Sequence, residues 1–229
     1  MYFDYTYLIF VVPALIFSFW AQSKVQSTFQ KYSRVLSARR MTGSEAARRI
    51  LASNGLNDVK VNRIAGELTD HFDPRTNTVN LSESVYDSYS VAAIGVAAHE
   101  SGHAVQYAVG YGPMKLRAAI IPVCNIGSKL SMPLVLLGIV LSFYELAYLG
   151  CIFFATATVF QLVTLPVEFN ASGRALEALE SSGILSNEEI KGSKKVLSAA
   201  AMTYVAALAS SLASLLRLLV IIGNRRGRR

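Results

Sequence analysis

Four apolar runs restrict what this chain can fold into more than any other feature. They lie at about Tyr7–Trp20, Leu116–Phe143, Ala147–Val167 and Ala199–Ile222, with the polar residues gathered between them. A helix needs about 20 residues to cross the hydrocarbon core of a bilayer, so each run is a candidate crossing, the first a short one. The middle two are separated by a very brief connection containing Glu145, and they form a membrane hairpin. A chain that is 52% hydrophobic and only 16% charged is too apolar for an ordinary soluble domain. The reading is an integral, multi-pass membrane protein of α+β class, mainly α-helical, with a small β-sheet in its polar part.

The first run reads as a retained anchor. Tyr2, Asp4 and Tyr5 stand where a secretory signal would carry positive charge, and Trp20 closes the run as an interfacial aromatic. The net charge of +7 is explained by basic residues flanking the apolar runs, among them Arg39, Arg40, Arg48 and Arg49, and by the terminal Arg225, Arg226, Arg228 and Arg229. No nucleic-acid motif accompanies that charge, so lipid and other membrane proteins are the expected neighbours, and nucleic acid is not. Cys124 and Cys151 both sit inside apolar runs, where thiols behave as small hydrophobes. They suggest neither a disulfide framework nor a thiolate metal site.

The polar region from 21 to 115 carries most of the recognisable soluble structure. Thr42-Gly43-Ser44-Glu45 has the form of a capping box, and Asn54-Gly55 that of a helix end, which predicts a short helix between them. Val59 to Ile64 alternates apolar and polar residues. Glu67 to Phe72 and Asn77 to Leu81 can pair across Asp73-Pro74-Arg75-Thr76. Asp70, Asp73 and Arg75 then read as hairpin and turn residues. A helix from about Ser90 to Tyr107 follows, apolar nearly all round and therefore buried.

That helix contains His99-Glu100-Ser101-Gly102-His103, an H-E-x-x-H pattern. Residues four apart share one helix face, so the imidazoles of His99 and His103 can reach a single Zn²⁺. Glu100 lies just off that face, placed to act on a water at the metal rather than on the metal itself. The ion would make the water acidic and Glu100 would take its proton during attack on a carbonyl. Two histidines and a carboxylate on a buried apolar helix cost several kcal/mol unless bonded or metallated. A catalytic zinc takes three protein ligands, and the third must come from outside the pattern. His71 and the acidic residues of the later polar region are candidates. Glu168 is favoured because two crossings after His103 bring the chain back to the same membrane face, although an exposed helix-start acid would look the same. His71 reads first as a sheet or turn residue, and Glu145 as the cap of a membrane turn.

At these residues the chain resembles the YugP-like membrane zinc metallopeptidases, relatives of the gluzincin peptidases. The resemblance covers nearly the whole chain. It is carried by the N-terminal anchor, by Leu68-Thr69-Asp70-His71-Phe72-Asp73-Pro74-Arg75 with Asn80-Leu81-Ser82, by Val96 to Gln106, and by Leu165-Pro166-Val167-Glu168-Phe169-Asn170-Ala171-Ser172. It implies a zincin-type active-site helix with one Zn²⁺ per chain, Glu168 as third ligand and a peptide or protein substrate. Related membrane gluzincins often place an aspartate four residues after that glutamate, where this chain has Ser172, whose hydroxyl can still bond a ligand from outside the metal. By the same analogy the strand of Thr78, Val79, Asn80 and Leu81 is expected to be an edge on which substrate lies extended, with an ordinary hairpin strand as the alternative; for His71, contact with metal or substrate is the second reading, behind a sheet or turn residue.

The expected organisation is an anchor at 1–20, a zincin-like catalytic region at 21–115, a transmembrane hairpin at 116–167, a polar helical region at 168–198 and an apolar helix with a basic tail at 199–229. Most of the 22 basic residues fall in the two polar regions, which places the catalytic side in the cytoplasm, under a bacterial plasma membrane. The arginine-rich tail conflicts with that assignment if the last run crosses, and agrees with it if the run folds back or lies at the interface. The functional expectation is hydrolysis of membrane-associated or unfolded proteins. A silent zinc-binding partner or chaperone, and a transporter subunit with intramembrane polar groups, are the alternatives.

Overall fold

The structure is a computed structural model that describes residues 5–226, without the side chains of 225 and 226. Tyr2, Phe3, Asp4, Arg228 and Arg229 lie outside the described residues. Along the chain run a π-helical turn at Tyr7–Val11, then α1 (Val12–Ser33), α2 (Gly43–Ser53), β1 (Lys60–Ile64), β2 (His71–Asp73), β3 (Thr78–Ser82), α3 (Glu83–Tyr86), α4 (Val91–Ala108), α5 (Gly112–Val140), α6 (Tyr144–Ser181) and α7 (Asn187–Arg226). The protein is mainly helical with one small sheet, the α+β class expected.

The helices outrun the apolar runs that announced them. α1 continues well past Trp20 to Ser33, α6 runs through Glu168 to Ser181, and α7 joins the polar segment from Asn187 to the last apolar run in one helix. Hydropathy changes at those points, but the helices continue: 22–33 contains no proline, Pro166 is accommodated inside α6, and the polar side chains that follow are compatible with helical backbone. Glu168 is therefore a mid-helix residue and not a helix start. The last run does not fold back, because α7 is unbroken.

The chain divides into two compact units. One comprises Met1–Gln22, Leu116–Leu165 and Thr203–Arg229. Among the described residues four helices are long and apolar enough to cross a membrane, and most of the length of their apolar runs lies in this unit. It exposes large apolar side chains such as Ile16, Val123, Leu137, Ile152 and Leu162, as a surface solvated by lipid does. Its helices meet through small residues and hydroxyls. Gly138 lies against Ala147 and Gly150 against Ser131, while the Ser18 and Ser210 hydroxyls bond at 3.0 Å and those of Thr158 and Ser211 at 2.7 Å. This is the packing expected where apolar burial drives no association and close backbone approach must do so. Arg217 stands over the ring of Tyr7 at 5.2 Å.

The other unit comprises Ser23–Lys115 and Pro166–Met202, and α4 runs through its middle. On one side Ile94 and Ala98 pack with Ile50 of α2, Leu179 of α6 and Leu197 of α7. On another Ala93, Ala97 and Ala104 pack with Leu51 of α2, Val79 and Leu81 of β3 and Val85 of α3. A helix enclosed this way must be apolar nearly all round, which is how the sequence of α4 reads. Local signals set the boundaries: the Thr42–Glu45 capping box starts α2, and the Ser90 hydroxyl accepts from Ala93 N to start α4. The sheet has the order β1-β3-β2, with β1 parallel and β2 antiparallel to β3. β2 begins only at His71, because Gly66 and Leu68 before it adopt positive φ of 102° and 54°. Strand pairing contradicts one expectation. Thr78, Val79, Asn80 and Leu81 lie in the central strand, not at an edge: Thr78, Val79 and Asn80 are paired on both sides and Leu81 with β1, and the outer strands are β1 and β2. The alternation of Val59 to Ile64 was visible in the sequence, but its partner was not.

Candidate metal centre

The centre is assembled by two helices that touch through a glycine. A Cβ on Gly102 of α4 would stand 2.7 Å from the carbonyl oxygen of Ala171 on α6, a contact that side chains do not make. Gly102 thus admits α6 to the face of α4 that carries the histidines. Ser193 of α7 fits against Gly95 on α4 and donates to the Val91 carbonyl at 2.9 Å.

With the helices this close, Glu168 Oε2 lies 3.4 Å from His99 Nε2 and 3.6 Å from His103 Nε2. The three ligand atoms are all within 4.8 Å of one another, and theirs is the group of donors able to hold a metal among the described residues. The imidazoles meet edge to face with centroids 4.7 Å apart. Donors about 2.0–2.1 Å from a tetrahedral zinc stand roughly 3.3 Å from each other, close to the spacing here. That spacing is longer than the roughly 2.7–3.2 Å of ordinary N–H···O bonds. The donor types, two imidazoles and one carboxylate, suit Zn²⁺. Burial pulls the His103 imidazole toward its neutral form, but the close Glu168 carboxylate and the charge of Glu100 outweigh it, and the net shift is upward. Three groups so buried and so mutually dependent fit a cation at their focus.

The outer nitrogens are occupied too. His99 Nδ1 lies 3.1 Å from the Ser172 hydroxyl, and His103 Nδ1 donates to Gln106 Oε1 at 3.0 Å. Gln106 is fully buried, and its amide donates to the Val167 carbonyl at 2.8 Å and to Asn170 Oδ1 at 3.0 Å. The residue-level reading missed Gln106 and Asn170. The available signal was spacing: Gln106 is one helical turn beyond His103, and Asn170 lies between Glu168 and Ser172.

Glu100 is only 8% exposed, on α4 beside the ligand pair. Near it lies Asp70, whose carboxylate accepts from Ser82 N at 2.7 Å and from the Ser82 hydroxyl at 2.9 Å. Burial pushes the Asp70 carboxyl above the usual range against those two bonds, and the neighbouring Glu100 adds to the push. Asp70 is thus more than a hairpin residue: it ties the loop before β2 to the end of β3. Asp73 does close the turn, accepting from Arg75 N at 2.9 Å. His71 is not brought to the three donors. It is exposed on β2, with Nδ1 donating to the Thr69 carbonyl at 2.9 Å and Nε2 facing Asn80 Nδ2 at 3.3 Å. Thr78 bonds Thr76 and Asn80, while Val79 and Leu81 are core residues.

Comparison with known proteins bears directly on this geometry. A family model described as "Putative neutral zinc metallopeptidase" matches residues 7–223. The chain belongs to this neutral zinc metallopeptidase family. It is 50% identical over 220 residues, 96% of its length, to a Bacillus subtilis (strain 168) protein called "Putative membrane protease YugP", of which the match covers 98%. No solved structure matches the chain. Membership of a zinc metallopeptidase family and similarity to a membrane protease agree with the two units found in the fold: a set of apolar helices, and a unit with a two-histidine, one-glutamate cluster that can bind a metal.

Proposed function

We propose that this chain is a membrane-embedded zinc endopeptidase that hydrolyses peptide bonds of membrane-associated or unfolded proteins, with one Zn²⁺ held by His99, His103 and Glu168. The observation that carries the reading is the convergence of His99 Nε2, His103 Nε2 and Glu168 Oε2, with Glu100 following His99 on the same helix and near enough to act on His103. When bound, zinc supplies Lewis acidity, polarising a carbonyl and making water acidic enough to attack near neutral pH. The chain's own residues do the rest. Glu100 lies on α4 directly after a ligand, and its carboxylate takes the proton of the attacking water and returns it to the departing amine. Its near-complete burial keeps bulk water from competing for that proton. Ser172 and the Gln106 amide hold the histidines from behind. Most basic residues lie in the polar regions, which supports a cytoplasmic catalytic side in a bacterial plasma membrane.

The test is digestion of an unstructured protein in detergent by wild type and Glu100→Gln, with zinc quantified in both. The wild type cuts. The variant keeps its zinc and loses about 10²–10⁴-fold in rate, the usual scale of general acid–base catalysis. Equal cutting by both would remove Glu100 from the mechanism. Zinc in both with no cleavage of any unstructured substrate favours a silent metal-binding protein.

A further inference from the structure

The two histidines are not held alike. The Ser172 hydroxyl at His99 Nδ1 can donate or accept, so it leaves the ring's tautomer open. Gln106 leaves His103 no such choice. Both of its amide hydrogens are engaged, by the Val167 carbonyl and by Asn170 Oδ1, so the atom turned to His103 is the amide oxygen, which can only accept. A proton must therefore sit on His103 Nδ1, so in the neutral ring it is Nε2, the nitrogen on the Glu168 side, that is left to ligate a metal. The chain of contacts goes one step further. Asn170 Oδ1 also accepts from Arg174 Nε at 2.9 Å. Two donors on that one oxygen fix the orientation of the Asn170 amide, just as the Gln106 donors fix the orientation of its own.

We propose that Gln106, Asn170 and Arg174 form a positioning chain that fixes His103 as a zinc ligand. Gln106 acts directly on the ring, and Asn170 and Arg174 act through Gln106. The proposal rests on the zinc centre described under Proposed function. The three residues set how tightly the metal is held, and they do so by hydrogen-bond direction. Asn170 is required only as an acceptor, so an aspartate should replace it, and a leucine of similar size should not.

The experiment measures zinc affinity by competition with a chelator, and the absorption spectrum of the cobalt-substituted protein, on full-length chain in detergent. The wild-type chain serves as the reference for both readouts. Gln106→Leu is expected to weaken zinc by about 10–100-fold and to shift the cobalt bands, as loss of an outer partner of a ligating histidine does. Asn170→Leu weakens zinc by a smaller factor, and Asn170→Asp stays within about twofold of wild type, since its carboxylate still accepts from both donors. If Gln106→Leu does not fold, the two Asn170 variants decide alone. Wild-type affinity in both leucine variants, or equal losses in Asn170→Leu and Asn170→Asp, overturns the positioning chain while leaving the zinc centre standing. A wild-type chain that takes up no zinc overturns both.

Discussion

At the scale of single residues, the site combines groups that could have been named from the sequence with groups that could not. His99, Glu100 and His103 announce themselves, because imidazoles four apart on an apolar helix have few other uses. Asp70 did not, since an acid beside a turn has an ordinary explanation. Its bonds to Ser82 and its nearness to Glu100 depend on where a later strand comes to lie. The raised carboxyl has a measurable consequence. A group whose folded pKa exceeds its unfolded value contributes stability that is complete below the unfolded value, here 3.8, and is lost as pH rises through the folded value. The asparagine side chain in Asp70→Asn carries no charge at any pH and keeps an oxygen for Ser82. The unfolding midpoint of Asp70→Asn relative to wild type should therefore rise as pH is raised from about 4 toward about 7. A difference that stays flat or falls across that range would contradict the buried, raised carboxyl.

At the scale of elements, propensity and capping were legible where the signals are local. The Thr42–Glu45 box starts α2, and Ser90 starts α4. What depends on partners was not legible. The strand Thr78–Ser82 reads from sequence as one arm of a hairpin, yet β1 returns to pair with its other side, so the free edge lies elsewhere. Likewise Gly102 looks like a helix-weakening residue until α6 is placed against it. Its replacement by alanine weighs two opposite effects. Helix propensity favours alanine by about 1 kcal/mol, while forcing a methyl group into packed surroundings costs about 1–3 kcal/mol, and more when the obstacle is backbone. The obstacle here is the Ala171 carbonyl at 2.7 Å, so the cost prevails. Gly102→Ala should lower stability and also weaken zinc binding, because α6 can relieve the contact only by carrying Glu168 away. Thermal unfolding together with a zinc titration tests this; unchanged zinc affinity would show that the close approach does not position Glu168.

At the scale of the whole molecule, the apolar runs disclosed a membrane protein before any motif was considered, and the structure adds that α1, α6 and α7 are far longer than the runs they carry. The chain's polar and apolar parts share α1, α6 and α7, whose helical backbone runs on through the change of hydropathy. An unbroken α7 sharpens the question of sidedness. On the proposed topology, with one crossing each for α1, α5, α6 and α7, the α5–α6 connection would face the side away from the cytoplasm, and the positive-inside tendency would rest on the polar regions outweighing the arginine-rich tail. In a chain with Cys124 and Cys151 replaced by alanine, a single cysteine at Asn57 should react only with reagent admitted to the cytoplasmic side. A single cysteine at Glu145 should react only from the outside. Labelling of both from one side would contradict the four-crossing topology.

The central claim is that His99, His103 and Glu168 hold one zinc. X-ray absorption at the zinc edge, on the purified full-length chain and on Glu168→Gln, tests it most directly. The account predicts one zinc per chain in the wild type, with two imidazole nitrogens and oxygen at about 2.0–2.1 Å, and a weakened or emptied site in the variant. Sulfur scattering from Cys124 or Cys151, or a metal environment that does not respond to Glu168→Gln, would contradict it.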